Sequence, residues 1–261
     1  IHNTRDAHFG GNLPAPTVKG LGELRNRVTT GGYELGIAFD GDGDRLGIID
    51  RTGRYLSANE ILVMLYWYLH EKKGWRGPVV RNLATTHMLD VMAASFGEVC
   101  YEVPVGFKYI SSKIDEVDAV LGGESSGGLT VRGHIHGKDS AYAAALFVEM
   151  VSAMNASPAR IMADLTARFG AFEMADSDFS YPAEQKPQLT HLLFEQKALP
   201  AFDRPVRRVS YEDGCKVYFE DGGFVVCRFS GTEPLLRFCA EADTKEKAQA
   251  SIQAFKDMLK L

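Results

Sequence analysis

Asp40-Gly41-Asp42-Gly43-Asp44-Arg45 is the stretch from which the rest of the chain can be read. Three carboxylates alternate with two glycines, and an arginine closes the run. Glycine weakens strands and adjacent anions repel, so the run predicts a loop. Leu35-Gly36-Ile37-Ala38-Phe39 precedes it and Leu46-Gly47-Ile48-Ile49 follows, and each reads as a short buried strand. The acidic loop is therefore expected at a strand end, on a rigid support. Such a loop gathers carboxylate oxygens around a hard divalent cation. A solvated acidic turn is the plainer alternative. An EF-hand also begins Asp-x-Asp-x-Asp, but it needs glycine sixth and glutamate twelfth, where this chain has Arg45 and Arg51. Mg²⁺ fits better than Ca²⁺, because it commonly takes one or two carboxylates besides waters and phosphate oxygens. With Arg45 alongside, the loop suggests a metal that takes a phosphate ligand.

The chain has 261 residues, of which 45% are hydrophobic. That suffices for one large domain or two to three small ones. Net charge is −5, so no global basic field exists to attract nucleic acid or an anionic membrane. Phosphate would have to be held by local arginines or backbone N–H groups. The four cysteines, Cys100, Cys215, Cys227 and Cys239, form no C-x-x-C pair. Three lie in or beside strand-like segments and read as buried free thiols, which argues against a disulfide framework and for a reducing, cytoplasmic setting. The longest apolar run, from Ile61 to Leu69, is too short to span a bilayer. A start at Ile1 without methionine suggests a truncated or processed fragment.

Along the chain, a short helix is expected around Leu21 to Val28. Ser57-Ala58-Asn59-Glu60 is a capping box for a helix through Leu69. Gly74 and Gly77-Pro78 mark a boundary. Strand and helix then alternate: a strand to Asn82, a helix from Thr86 to Phe96, a strand to Val103, a helix from Phe107 to Glu116 and a strand from Asp118 to Leu121. This pattern implies a sheet covered by helices. A helix from about Asp139 to Met154 follows, and Ser157-Pro158 starts another. Residues 180–205 hold four prolines and read as a linker with one short helix. Beyond them, Asp213-Gly214 and Asp221-Gly222-Gly223 separate alternating strands of an antiparallel sheet. Asp243 is expected to cap a final helix whose apolar stripe is Ala248, Ile252, Phe255 and Leu259. The fold class is α/β, with mixed α/β sheet domains followed by a small C-terminal α+β domain. The segments are 1–76, 77–180 and 181–261.

Further constellations bear on the chemistry. Arg228-Phe229-Ser230-Gly231-Thr232-Glu233-Pro234 lies between two strands. Ser230 and Thr232 offer hydroxyls, Gly231 lets backbone N–H groups converge, and Arg228 adds a forked charge suited to phosphate. An ordinary hairpin turn is the bland alternative. Gly122-Gly123-Glu124-Ser125-Ser126-Gly127-Gly128 reads as a carbohydrate clamp or as a nucleophile elbow. A formal triad of Ser125, Asp176 or Asp178, and His191 exists. An elbow needs a helix directly after the serine, whereas Leu129-Thr130-Val131-Arg132 looks extended, so a serine hydrolase is disfavoured. Lys138-Asp139 and Gly106-Phe107-Lys108 each place a lysine beside a loop, and on spacing alone each reads as a surface lysine. His134 and His136 alternate on an extended segment without an evident third zinc ligand.

In this order the loops resemble those of the α-D-phosphohexomutase family, in its bacterial-type phosphoglucomutase/phosphomannomutase branch. The resemblance covers essentially the whole chain. It implies that Asp40, Asp42 and Asp44 hold Mg²⁺ and that Arg45 stays close to the phosphoryl group. Glu124 and Ser126 become sugar-hydroxyl contacts, Lys138 a general acid/base and Lys108 a second active-site lysine. Arg228, Ser230, Gly231 and Thr232 become the site of the phosphate that is not in transfer. The family nucleophile is a phosphoserine in a Thr-Ala-Ser-His-Asn-Pro loop of the first domain, and no such segment is found here. The three segments then correspond to part of domain two, domain three, and a linker with domain four. The resemblance implies a mutase that interconverts hexose 1-phosphate and hexose 6-phosphate, of glucose or mannose, through glucose 1,6-bisphosphate or its counterpart. This chain by itself is expected to be inactive without the N-terminal domain. Residues 180–205 are a candidate hinge. A sugar-phosphate-binding module that lost its nucleophile domain is the non-enzyme alternative. Ser140 departs from relatives, which often have glycine after Lys-Asp.

Overall fold

The fold is that of a computed structural model, which describes residues 1, 2, 4–231 and 233–260. The chain divides into two compact units. One comprises residues 1–85 and 89–168, the other residues 86–88 and 169–261.

In the first unit, α1 (Gly22–Gly31) leads into β1 (Leu35–Phe39), which pairs antiparallel with β2 (Leu46–Asp50); β3 (Tyr55–Leu56) adds on the far side of β2. The register joins Phe39 to Leu46, so the acidic run is the connection of this hairpin. β2 is buried throughout, as a middle strand should be. β1 corrects the expectation of two equally buried strands, because it is an edge strand and Phe39 is 47% exposed.

α2 (Ala58–Trp67) starts at the expected capping box. Ser57 Oγ accepts from the Glu60 N–H, and the Glu60 carboxylate accepts from the Ser57 N–H. Next come β4 (Val79–Asn82), α3 (Met88–Ser95), β5 (Cys100–Val103), α4 (Phe107–Val117), β6 (Leu121–Gly123) and β7 (Leu129–Val131). The sheet order is β5-β4-β6-β7, with β4 parallel to both β5 and β6, and β7 antiparallel to β6. Val80, Val103, Ile110, Ile114 and Ala119 pack α4 onto it. The last strand reads Leu121–Gly123 rather than Asp118 to Leu121, because Asp118 caps α4 in the left-handed conformation. Gly122 and Gly123 leave no space for a side chain. A Cβ at Gly122 would stand 2.4 Å from Ile114 Cδ1, and one at Gly123 would stand 2.2 Å from Leu62 Cδ2. Since successive residues of a strand face opposite ways, α4 and α2 approach β6 on its two faces. α5 (Ser140–Met154) and α6 (Pro158–Phe169) follow.

The second unit is a five-stranded antiparallel sheet in the order β8-β12-β11-β10-β9, formed by β8 (Glu173–Ser180), β9 (Val206–Ser210), β10 (Cys215–Phe219), β11 (Phe224–Phe229) and β12 (Leu235–Ala242). β8 lies before residue 181, where the sequence reading begins its last segment, yet all eight of its residues pair with β12. Its sequence, Glu-Met-Ala-Asp-Ser-Asp-Phe-Ser, is too polar to announce a strand. The expected linker is more ordered than its prolines suggested. A 3₁₀ turn (Ala183–Gln185), α7 (Lys186–Thr190) and a wider turn (His191–Glu195) run on without a break. Leu189 and Leu193, one helical turn apart, enter the core with Phe238, Ile252 and Phe255. The last helix, α8 (Lys245–Leu259), is capped by Thr244 and not by Asp243. Asp243 instead binds the Lys247 ammonium at 2.7 Å. Ala248, Ile252, Phe255 and Leu259 are all buried, as their spacing predicted.

The four cysteines are free, and Cys215, Cys227 and Cys239 are buried. Burial pushes the Cys215 thiol up to about 11. No helix among the described residues is long and apolar enough to cross a membrane.

Candidate active site

The acidic loop closes on itself. Asp40 N donates to Arg45 O, and Gly43 N donates to Asp40 O. Asp40 Oδ1 accepts the N–H groups of Asp44 (2.8 Å) and Arg45 (2.9 Å), while Oδ2 takes Arg45 Nε at 2.5 Å. Gly43, at φ +75°, lets the chain turn between the second and third aspartates. Burial alone would raise the Asp40 carboxyl. The Arg45 backbone and side chain, with the Asp44 N–H, outweigh it and hold the carboxyl well below the usual range. Asp40, Asp42 and Asp44 each offer one oxygen, and these lie within 4.8 Å of one another. The donor set is all carboxylate oxygen, and each oxygen carries two lone pairs, so Asp40 keeps acceptor capacity beside Arg45. These residues fit a small hard cation such as Mg²⁺.

Two other loops of the first unit reach this one. β4 and β6 run parallel, and residues just past their ends build the second loop, at the edge where open α/β sheets bind ligands. Glu124, just past β6, is buried. Its Oε1 accepts Ser126 Oγ at 2.8 Å and its Oε2 accepts Asn82 Nδ2 at 3.3 Å. Thr85 Oγ1 accepts the Ser125 N–H and donates to Asn82 Oδ1. Leu46 N, at the start of β2, donates to Gly127 O at 3.3 Å. The third loop precedes α5. Lys138 Nζ pairs with Asp44 Oδ2 and lies 3.9 Å from Glu124 Oε1. Asp139, the cap of α5, accepts the Tyr142 N–H at 2.9 Å and contacts His134 Nε2 at 2.9 Å.

Asp40, Asp42, Asp44, Arg45, Glu124, Ser126 and Lys138 thus form one connected constellation. Lys108 is not drawn into these bonds: its ammonium lies 4.9 Å from the Tyr109 ring centroid. Asn82 and Thr85 escaped the sequence reading. The signal available was a polar residue ending an apolar parallel strand. The elbow reading fails on β7, which is extended immediately after Gly128. His191 meanwhile contacts Glu195 at 2.6 Å. His134 and His136 bind different carboxylates, Asp139 and Asp115.

The second unit holds its own candidate anion loop, between β11 and β12. Arg228 Nε donates to Asp213 at 2.7 Å, and Ser230 N donates to Leu235 O at 2.8 Å. Gly231 has open space on its side-chain face. Thr232 lies outside the described residues. The register sets Arg237 directly opposite Arg228. Each guanidinium also meets a carboxylate, Asp213 for Arg228 and Glu233 for Arg237. Glu233 is 3.4 Å from Arg237.

Family models describe this layout segment by segment. Residues 1–53 match the alpha/beta/alpha domain II of phosphoglucomutase/phosphomannomutase, residues 57–169 its alpha/beta/alpha domain III, and residues 189–258 its C-terminal domain. The chain belongs to the phosphoglucomutase/phosphomannomutase family. The domain III match includes α2, which stands before the expected boundary at Gly77. A Methanopyrus kandleri protein described as a probable phosphoglucosamine mutase is 29% identical to this family member, covering 98% of the chain and 54% of the relative. The phosphoglucomutase/phosphomannomutase of Thermococcus kodakarensis is 26% identical, covering 95% and 52%. The open form of the Paramecium phosphoglucomutase pp63/parafusin superposes with a TM-score of 0.74 at 25% identity, covering 98% of this chain and 51% of that one. The chain spans about half the length of the relatives it matches.

Proposed function

We propose that this chain supplies the metal loop, sugar clamp and phosphate loop of a Mg²⁺-dependent phosphohexomutase acting on glucose or mannose phosphates. The observation that carries the reading is Lys138, whose ammonium meets Asp44 of the metal loop and approaches Glu124 of the sugar loop. A proton-transferring group belongs between the site of phosphoryl charge and the hydroxyl that receives the phosphoryl group. Asp40, Asp42 and Asp44 would hold Mg²⁺, which when bound neutralises charge on the transferring phosphoryl group. Arg45, anchored on Asp40, adds its guanidinium to the same task. Glu124 and Ser126 grip sugar hydroxyls, and Lys138 takes the proton of the attacking hydroxyl. Arg228, Ser230, Gly231 and Thr232 hold the phosphate that stays. Lys108 serves as a second substrate contact. A phosphoserine from a further domain gives its phosphoryl group to the free hydroxyl of the hexose phosphate. The bisphosphorylated sugar then returns its other phosphoryl group to that serine. Buried free thiols suit the cytoplasm for such an enzyme.

This chain alone is expected to bind sugar phosphate without turnover. Glucose 1-phosphate, followed by ³¹P NMR with the chain, Mg²⁺ and a trace of glucose 1,6-bisphosphate, should broaden without product. Arg228→Ala should abolish the broadening. A glucose 6-phosphate signal would refute the inactivity, and sharp lines throughout would remove the intact phosphate site. In a protein that also carries the phosphoserine domain, Asp42→Asn should eliminate mutase activity. Mannose 1-phosphate and glucosamine 1-phosphate belong in the same assay, since the relatives are named for all three sugars.

A further inference from the structure

Ser140, buried at 2% exposure in the first turn of α5, touches the metal loop by a route the catalytic reading does not use. Its N–H donates to Gly43 O at 3.2 Å, and its hydroxyl donates to the same oxygen. That carbonyl belongs to the peptide between Gly43 and Asp44. The N–H of the same peptide donates to Asp40 Oδ1 at 2.8 Å. One peptide plane is therefore held at both ends, by Ser140 and by Asp40. It needs holding. Gly43 stands at φ +75° and lacks a side chain, so sterics do little to resist rotation of the plane. A rotated plane would turn the Gly43 carbonyl away from α5 and free it to act as a further oxygen donor beside three carboxylates.

We propose that Ser140 is a positioning residue that fixes the Gly43–Asp44 peptide and so makes the loop select Mg²⁺ over Ca²⁺. This rests on the reading of Asp40, Asp42 and Asp44 as a cation site. The two ions differ in appetite: Ca²⁺ takes six to eight oxygens in flexible geometry and readily recruits backbone carbonyls, whereas Mg²⁺ uses few protein ligands in a strict octahedron. Engaging the Gly43 carbonyl with two donors from α5 withdraws a ligand that Ca²⁺ could use and Mg²⁺ does not need. It also keeps the spacing of Asp42 and Asp44 constant. The serine is built for this, since a glycine there, as the sequence reading expects in relatives, would leave only the N–H donor.

The test is calorimetric titration of the full chain with MgCl₂ and, separately, CaCl₂, so that no turnover is needed. Wild type, Ser140→Ala, Ser140→Thr and Asp42→Asn are compared. Removing one buried hydrogen bond should shift the ratio of Mg²⁺ to Ca²⁺ affinity toward Ca²⁺ by roughly fivefold in Ser140→Ala. Ser140→Thr should restore the wild-type ratio. An unchanged ratio in Ser140→Ala, with binding still abolished by Asp42→Asn, would overturn the role of Ser140 and leave the cation site standing. Binding unaffected by Asp42→Asn, or absent from wild type, would overturn the cation site itself and this inference with it.

Discussion

At the residue scale, Gly128 determines where Lys138 can lie. A Cβ at Gly128 would stand 2.1 Å from Lys138 Cδ, and the atom in the way is part of a flexible side chain rather than backbone. Gly128→Ala should therefore move Lys138 and leave the fold alone. On the proposed role of Lys138 as the proton-transferring group, kcat of a mutase containing this chain should fall at least tenfold, because displacing such a group by about 1 Å costs up to about 100-fold. The melting temperature should stay unchanged; a large drop would mean that the backbone, not the lysine, gave way. From its spacing alone Lys138 read as an ordinary surface lysine. The carboxylates were legible at once, because three aspartates at alternate positions with glycine between them restrict the chemistry of a short loop.

At the element scale, β6 lets two helices approach through glycine. Gly123 lies against Leu62 of α2, so Gly123→Ala has no space to fill. Overpacking of this kind costs about 1–3 kcal/mol. Urea unfolding of the chain should show the first unit losing stability by that amount, and an unchanged midpoint would mean that Leu62 swings aside freely. The alternation of strands and helices from Val79 to Val131 was legible because each apolar run is short and bounded by breakers. β8 was not, since five of its eight residues are polar and its stability comes from pairing with β12, a strand more than fifty residues later. α7 was foreseen only as a short helix in a linker. Its anchoring leucines acquire meaning from the sheet they meet.

At the scale of the whole molecule, each unit carries its own core. In the second unit, Arg204 is buried, with Asp221 bound at 2.7 Å (Nε) and 2.5 Å (Nη2), Ser251 at 3.3 Å, and Phe219 stacked 4.1 Å away. The Arg204 hydrogen bonds lower the Asp221 carboxyl, assisted by the Gly223 N–H. A carboxyl depressed on folding stabilises the fold fully above its unfolded value, here near 3.8, and loses that contribution as pH falls through the folded value. Asp221→Asn should remove about 1–2 kcal/mol at pH 7, a figure reduced for the exposure of the aspartate. The variant should also lose less stability than wild type on acidification below pH ~4. Denaturation followed across pH measures both. The proposed Mg²⁺ affinity of the first unit should not change, because the partners described for Asp221 (Arg204 and Gly223) do not belong to the metal loop.

Local sequence set which residue types gather in each loop and the kind of nearly every element. Those properties depend on neighbours: glycine's freedom at positive φ, the repulsion of adjacent carboxylates, a capping box, the period of an apolar stripe. Tertiary structure alone decided which loops meet. It brought Lys138 to Asp44 and Glu124, set Arg237 across from Arg228, joined β8 to β12 and placed Ser140 beneath the Gly43 carbonyl. Each of these pairs has partners that are remote in sequence or fixed by strand register. Such contacts arise from the packing of whole elements, and no local spacing in the chain encodes them.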